Sequence, residues 1–314
     1  MQYYQECIAL GSKTGLSLVS DEKPSKINEL FGSIWKEVFL FERRFSRFIP
    51  DSELSMFNRN AGTKQYISLE FRDILLAAFN KAEQTEGLFN PFVLPSLQTA
   101  GYKNSRVPGH EFDEIDDHSD KSVAAINQIE IGNNWAKIPY NTAIDLGGCG
   151  KGYLGEKLRN KIPDYIQGYW MSLGGDIALD GKDKYGQPWS VTVQNADDPT
   201  KDIASIDSSK INAVATSGTN VHRGRHSNKS WHHIIDPKSK LPAKTDVMLA
   251  TVCANSLFNA DILASCAVIL GSKNAIKFLK NQGARAGILQ YRSTKGSIQL
   301  LSFGNQLIKK GADA

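Results

Sequence analysis

The chain has 314 residues, 41% of them hydrophobic, enough to bury a sizeable core as one large α/β domain or two closely joined halves. Its net charge is only +4 and its 37 basic residues are scattered, which argues against a nucleic-acid surface, although a mildly basic chain still suits an anionic ligand. Four cysteines without a CxxC pair point to reduced thiols; the absence of a basic-then-apolar leader and of any 18-residue apolar stretch predicts no signal peptide, no membrane span and a cytoplasmic location.

Two short strands open the chain, about Glu6 to Leu10 and Leu16 to Val19, split by Gly15. Ile27, Leu30, Phe31, Ile34, Trp35, Val38 and Phe39 then recur with the period of an amphipathic helix, and Ser25 is its expected N-cap. A polar loop, FSRFIPDSELSMFNRNAG, follows with a short helical turn. A second helix carries Ile74, Leu75, Ala78, Phe79 and Ala82 on one face and ends before Gly87. Residues 103–122, with Glu111, Asp113, Glu114, Asp116, Asp117 and Asp120, read as a charged surface insertion rather than a metal site, because the carboxylates are irregularly spaced.

A hairpin is expected around Gly132-Asn133-Asn134, then a short strand from Ala143 to Leu146 that enters a glycine turn and a helix. Strands follow near Tyr169 to Leu173, Trp189 to Gln194 and Val247 to Cys253, then helices near Asn259 to Leu270 and Lys273 to Asn281, then two closing strands. Strands and helices alternate without strict βαβ order, which predicts a mixed α/β (α+β) fold with a mixed sheet. No repeat or low-complexity linker breaks the chain, so a single domain over 1–314 is expected.

Three segments carry candidate chemistry. Ile144-Asp-Leu-Gly-Gly-Cys-Gly-Lys-Gly-Tyr153 places Lys151 among glycines that let backbone approach a phosphate. A Walker A loop is excluded, since Asp145 and Gly152 stand where Gly and Ser or Thr are required. A Rossmann fingerprint is satisfied by Gly150, Gly152 and Gly155, with Asp176 at the distance of a ribose acid, and would mean an NAD-dependent dehydrogenase. The third reading is a dedicated site with Asp145 and Lys151 bracketing the turn. In Trp231-His-His-Ile-Ile-Asp-Pro237, His233 precedes an apolar pair and an Asp-Pro turn, which suits a general base or phosphate contact. His222 and His226 at i, i+4 would share a helix face and bind zinc, but their glycine-broken stretch is a poor helix and surface histidines are the simpler reading. In Asn259-Ala-Asp-Ile-Leu-Ala-Ser-Cys-Ala267, Asp261 and Ser265 lie one turn apart on an apolar helix, a hard oxygen pair of the kind Mg²⁺ uses; the alternative is an Asp that caps its own helix. Cys149 and Cys266 read as buried small residues.

Taken in order, these segments resemble the ApbE family of FAD:protein FMN transferases. Leu10-Gly-Ser12, Ser46-Arg-Phe-Ile-Pro-Asp-Ser-Glu-Leu-Ser55 with Asn58, Gly87-Leu-Phe-Asn-Pro91, the DLGG and KGY stretch, Leu173-Gly-Gly-Asp176, Ala215-Thr-Ser-Gly-Thr219, His233-Ile-Ile-Asp-Pro237 and the closing Ala260-Asp261 with Ser265 all follow the family's sequence of motifs. The resemblance implies an ApbE-like fold that binds FAD in a cleft between two halves. It implies Mg²⁺ held by Asp261, Ser265 and the Gly148 carbonyl, and FAD contacts from Leu10, Phe48, Asn90, Pro91, Phe92, Asp145, Lys151 and Ile235. His233 would lie near the reacting phosphate, with His233 and Asp261 as the catalytic pair. The implied reaction moves FMN from FAD to a Thr or Ser hydroxyl of an acceptor flavoprotein, a flavinylation that releases AMP. The same site would act as an FAD pyrophosphatase if water attacked, and a non-catalytic FAD-binding protein is the third alternative. The chain departs from the family pattern at Asn90, usually Asp, at Ser265, usually Thr, and at Leu10, usually Met. The first change removes a charge near the flavin.

Overall fold

The structure is a computed structural model that describes residues 1–105, 117–220, 223–226 and 229–310. Contacts divide the chain into two units, Met1–Leu40 with Lys151–Gly218 and Thr245–Ala314, and Phe41–Gly150 with Thr219–Lys244. Six helices are present among the described residues: α1 (Pro24–Phe45), α2 (Glu53–Arg59), α3 (Leu69–Gln84), α4 (Leu94–Ala100), α5 (Gly150–Arg159) and α6 (Leu257–Asn281).

The first unit is built on an eight-stranded sheet of β1 (Gln2–Ala9), β2 (Ser12–Val19), β3 (Gly168–Leu173), β4 (Asp176–Gly181), β5 (Ala213–Gly218), β6 (Val247–Ala254), β7 (Ala286–Arg292) and β8 (Ile298–Phe303). Spatial order follows chain order, and every neighbouring pair runs antiparallel. The mixed α/β class expected from the sequence is therefore realised with an antiparallel large sheet. A three-stranded sheet of Ser190–Gln194, Asp202–Asp207 and Ile308–Lys310 packs Val193, Ile203 and Ile206 against Val214, Cys253 and Ile288. Helix α6 packs against β5 and β6. It is 25 residues long and holds an 18-residue window of mean hydropathy 1.5, long and apolar enough to cross a membrane, yet Leu257, Ala260, Ile262, Leu263, Ala264 and Ala267 are buried inside this unit. Gly271 (φ 74°, ψ 169°) breaks α6 where the sequence reads two helices.

Two expectations near the N-terminus are corrected. The break between β1 and β2 falls at Leu10 (φ 55°) and Gly11 (φ 70°), a two-residue hairpin turn, and not at Gly15. Gly15 pairs with Glu6 inside the sheet; a Cβ there would press on Tyr4 (3.1 Å) and Trp170 (3.4 Å). Helix α1 starts at Pro24, so Ser25 lies inside it and is not the cap; the fixed φ of proline suits the first helical position. Ile27, Phe31, Ile34 and Val38 form its buried stripe, while Phe39 stands 47% exposed.

The second unit holds α2, α3 and α4, a three-stranded sheet of Gln65–Tyr66, Trp135–Lys137 and Glu130–Ile131, and two short hairpins, Arg223–His226 with Lys229–His232 and Ile235–Asp236 with Leu241–Pro242. The hairpin around Gly132-Asn133-Asn134 forms as expected. Phe57 and Phe45 pack on Phe71 at 5.2 and 5.6 Å, and Phe79 meets Phe92 edge-on at 5.2 Å. The Ser52-Glu-Leu-Ser55 stretch is a fastener. Ser52 caps α2 by accepting the Ser55 N–H, and Glu53 accepts from Arg44 (2.8 Å) and from the N–H of Ser68 (2.7 Å), itself the cap of α3. Of the expected charged insertion, residues 106–116 lie outside the described residues, Glu111, Asp113, Glu114 and Asp116 among them. At its ends Lys103 pairs with Asp117 (2.5 Å) and holds that carboxyl down at about 2.

Ala143 to Leu146 is not a strand. Its backbone groups find partners other than a ladder: Asn58 Nδ2 donates to the Ile144 carbonyl (2.8 Å), Asn58 Oδ1 accepts the Ile144 N–H (2.8 Å), and the Asp145 N–H donates to the Pro91 carbonyl (2.8 Å). Asn58 is 1% exposed, so truncation would strand two buried backbone groups. Asn58→Ala is expected to lower the unfolding free energy by about 2–4 kcal/mol in urea melts. A loss below about 0.5 kcal/mol would mean that Ile144 has another anchor.

Candidate functional site

In the first unit four motifs converge. Lys151, near the start of α5, places Nζ 3.0 Å from Asp176 Oδ2. Asp176 opens β4 after a turn in which Gly174 and Gly175 take φ of 70° and 100°, and its Oδ1 accepts the Thr216 N–H at 3.2 Å. Asp261 lies in the second turn of α6, and its Oδ2 accepts the Gly152 N–H at 3.3 Å. Ser265, one turn further on, shares a 2.9 Å hydrogen bond with Ser217. The KGY, LGGD, ATSGT and ADILAS segments, 109 residues apart at the widest link, thus meet.

Asp261 does not cap α6; Ser256 does, through the Asn259 N–H. The aspartate is free for another role and is 5% exposed. Burial raises its carboxyl to about 7, with the negative charge of Asp176 adding to the rise and Lys151 and the Gly152 N–H opposing it. Among the described residues, Lys151 stands against the two carboxylates of Asp176 and Asp261, and an oxygen set of carboxylate and hydroxyl fits a hard divalent cation. Among the described residues no three His, Cys, Asp or Glu side chains gather, so a soft-metal cage is not present there.

Gly152 makes the approach of α5 to α6 possible. A Cβ at that position would sit 2.7 Å from Phe258 Cα and 2.9 Å from the Leu257 carbonyl. Gly155 likewise faces the Leu257 side chain. These glycines serve helix packing, and the Rossmann reading fails on topology. No strand leads directly into Gly150, residues 143–149 being irregular and turn, and Asp176 begins a strand antiparallel to β3.

In the second unit Asp145 forms a buried ion pair with Arg47, Nε to Oδ1 at 3.1 Å. The guanidinium lies 4.1 Å from the Phe48 ring and 4.7 Å from the Tyr102 ring. Tyr102 meets Trp231 at 5.9 Å and the His233 ring edge-on at 6.3 Å. His233 is half-buried between the strands Lys229–His232 and Ile235–Asp236, and Ile235 is buried. The neighbouring His232 bonds the Ala243 carbonyl through Nε2 (3.1 Å), and burial lowers its pKa. Asn90 caps the turn Pro91–Val93: Oδ1 accepts the Phe92 N–H (2.9 Å) and Nδ2 donates to the Ala124 carbonyl (3.1 Å). A carboxylate could not make that second bond, which accounts for Asn here. Phe92 is fully buried against Phe79 and serves the core.

Gly148 belongs to this second unit, and Leu10, Lys151, Asp261 and Ser265 to the first. His226 sits in the strand Arg223–His226, so no helix face pairs it with His222, which lies outside the described residues. Cys149 and Cys266 are buried. Arg47, Tyr102 and Ser217 are absent from the residues singled out by sequence. Ser217 lies inside the ATSGT motif and Arg47 inside the stretch 46–55, but nothing in either stretch marks the residue itself, and Tyr102 lies in no motif.

A model of the ApbE family matches residues 10–289. The chain belongs to the ApbE family. Its relatives include proteins named FAD:protein FMN transferase from Haemophilus influenzae, 26% identical over 80% of this chain and 75% of that protein, and from Chlamydia trachomatis, 27% identical over 74% and 73%. The fold is that of the flavinyl transferase ApbE of Pseudomonas stutzeri (TM-score 0.81, 19% identity, 98% and 96% covered) and of the ApbE protein of Thermotoga maritima (TM-score 0.80, 21% identity, 95% and 96% covered). ApbE membership accords with the convergence of four motifs around Asp261 and leaves no role for a dinucleotide fingerprint.

The Asp261 carboxyl makes a pH prediction for the metal-free protein. Its folded pKa of about 7 lies above the ordinary 3.8, so the folded state holds a proton that the unfolded state releases. Stability is therefore fully present below about pH 4 and falls as pH rises to about 7. Asp261→Asn is expected to remove this fall, matching the parent at pH 4 and exceeding it at pH 8 in urea midpoints. A pH-independent difference would show that Asp261 is already neutralised by its neighbours.

Proposed function

We propose that this chain is a Mg²⁺-dependent FAD:protein FMN transferase that attaches FMN to a Thr or Ser hydroxyl of an acceptor protein and releases AMP. The observation that carries the reading is the buried Asp261 carboxylate, with Lys151, Asp176 and the Gly152 N–H around it, in a chain of the ApbE family. The names of its relatives support FAD as substrate and a protein as acceptor.

Asp261 and Ser265 would hold the cation. Bound there, a divalent cation neutralises pyrophosphate oxygens and the charge that builds on the departing phosphate. Lys151 adds fixed positive potential, and its ion pair with Asp176 aims the ammonium. The acceptor oxygen forms a bond to the phosphorus on the riboflavin side as the bond from that phosphorus to AMP breaks. The hydroxyl proton passes to a base, for which His233 is the candidate, and AMP leaves with the electron pair. Water in place of the hydroxyl would give FMN and AMP instead.

The test is AMP release from FAD with and without Mg²⁺, and with and without an acceptor carrying a target Thr. AMP release that needs both, with FMN covalently on the acceptor, is the expected result. Asp261→Ala should slow it by at least roughly 100-fold. AMP and free FMN without acceptor would identify a pyrophosphatase, and FAD retained without AMP in every arm would identify a binding protein.

A further inference from the structure

We propose that Arg47 is a positioning residue that, through Asp145, sets the turn carrying Gly147 and Gly148. Arg47 is held by an ion pair, a hydrogen bond and two aromatic rings. Its Nε lies 3.1 Å from Asp145 Oδ1, its Nη2 donates to the Tyr102 carbonyl at 2.9 Å, and the rings of Phe48 and Tyr102 flank the guanidinium. The second oxygen of Asp145 accepts the Gly147 N–H at 2.9 Å, and its backbone N–H is anchored on Pro91. The chain of bonds therefore runs from a clamped guanidinium, across one carboxylate, to the first amide of the glycine turn. Gly147 is required for it, because a Cβ there would stand 2.7 Å from Asp145 Oδ2.

Stability alone does not explain this arrangement. The side chains of Arg47 and Asp145 are 6% and 10% exposed, and a buried ion pair seldom outperforms an apolar pair of similar volume. Arg47 Nη1 is buried with no hydrogen-bond partner among the described residues, a further cost that a residue placed for the fold would avoid. What the pair supplies is direction: a planar fork gripped by two rings holds a carboxylate in one rotamer, and lysine has no such fork. The Gly148 carbonyl follows directly on the clamped Gly147 amide. A ligand role for the turn rests on the family resemblance and on the proposed function; the clamping of the turn does not.

The test has two arms. Hydrogen exchange at Gly147 is measured in the metal-free protein for the parent, Arg47→Lys, Arg47→Met, Arg47→Met with Asp145→Asn, and Arg44→Met as a control in the Glu53 and Glu70 network. Mg²⁺ binding by calorimetry, and the split of kcat from the KM for FAD, are measured on the single variants. Exchange at Gly147 is expected to rise about tenfold in all three Arg47 variants and not in Arg44→Met. Mg²⁺ affinity is expected to fall about 10- to 100-fold in Arg47→Lys, with kcat falling more than KM for FAD rises. Parent-like exchange in the folded Arg47 variants would overturn the inference, as would an equal rise in Arg44→Met or a failure of every Arg47 variant to fold. Parent protein that turns over no FAD would overturn the proposed function, while the exchange arm still decides the role of Arg47.

Discussion

A carboxylate removed from water must be neutralised, and the first unit is arranged around that demand at Asp261. The group sits on an otherwise apolar helix pressed against the large sheet, so water cannot solvate it. One weak amide bond from Gly152 and the nearby Lys151 offset part of the cost, and Asp176 adds to it. Everything that brings these groups together depends on backbone geometry: the bare Cα of Gly152 against the first turn of α6, and the left-handed glycines that aim Asp176 at Lys151. The site is costly to assemble, because the groups around Asp261 offset its burial only in part.

The segment from Asp145 to Gly155 shows how one glycine-rich stretch can serve several physical ends. Gly147 leaves room for the Asp145 carboxylate to fold back on its own turn. Gly152 and Gly155 let two helices touch, while a Cβ at Gly148 would meet Phe89 at an ordinary 3.6 Å, so that glycine is under no such packing constraint. A motif that reads as a phosphate cradle is thus partly a packing device. The SEL stretch is likewise structural, since Ser52 and Glu53 tie the starts of α2 and α3 to Arg44.

Periodic patterns were the most legible part of the fold. The buried stripe of α1, the face of α3 and the apolar body of α6 are fixed by spacing alone, because each segment buries one side whatever its neighbours are. The hairpin turn at Leu10 and the irregular course of Ala143 to Leu146 were hidden. Leu10 adopts a left-handed conformation that its side chain does not advertise, and Ile144 is held by an asparagine 86 positions away.

The same division runs through the site. Sequence by itself determined the family, the oxygen pair of Asp261 and Ser265, and the lysine among glycines, since residue type and order suffice to specify an inventory of donors. Tertiary structure alone decided which donors are already occupied. Asn90 is committed to backbone, Phe92 to the core, and Asp176 to Lys151 and Thr216. It also decided that Arg47, silent in the sequence, grips Asp145. Hydrogen-bond partnership is a property of distance in space, and linear order does not encode it until the chain has folded.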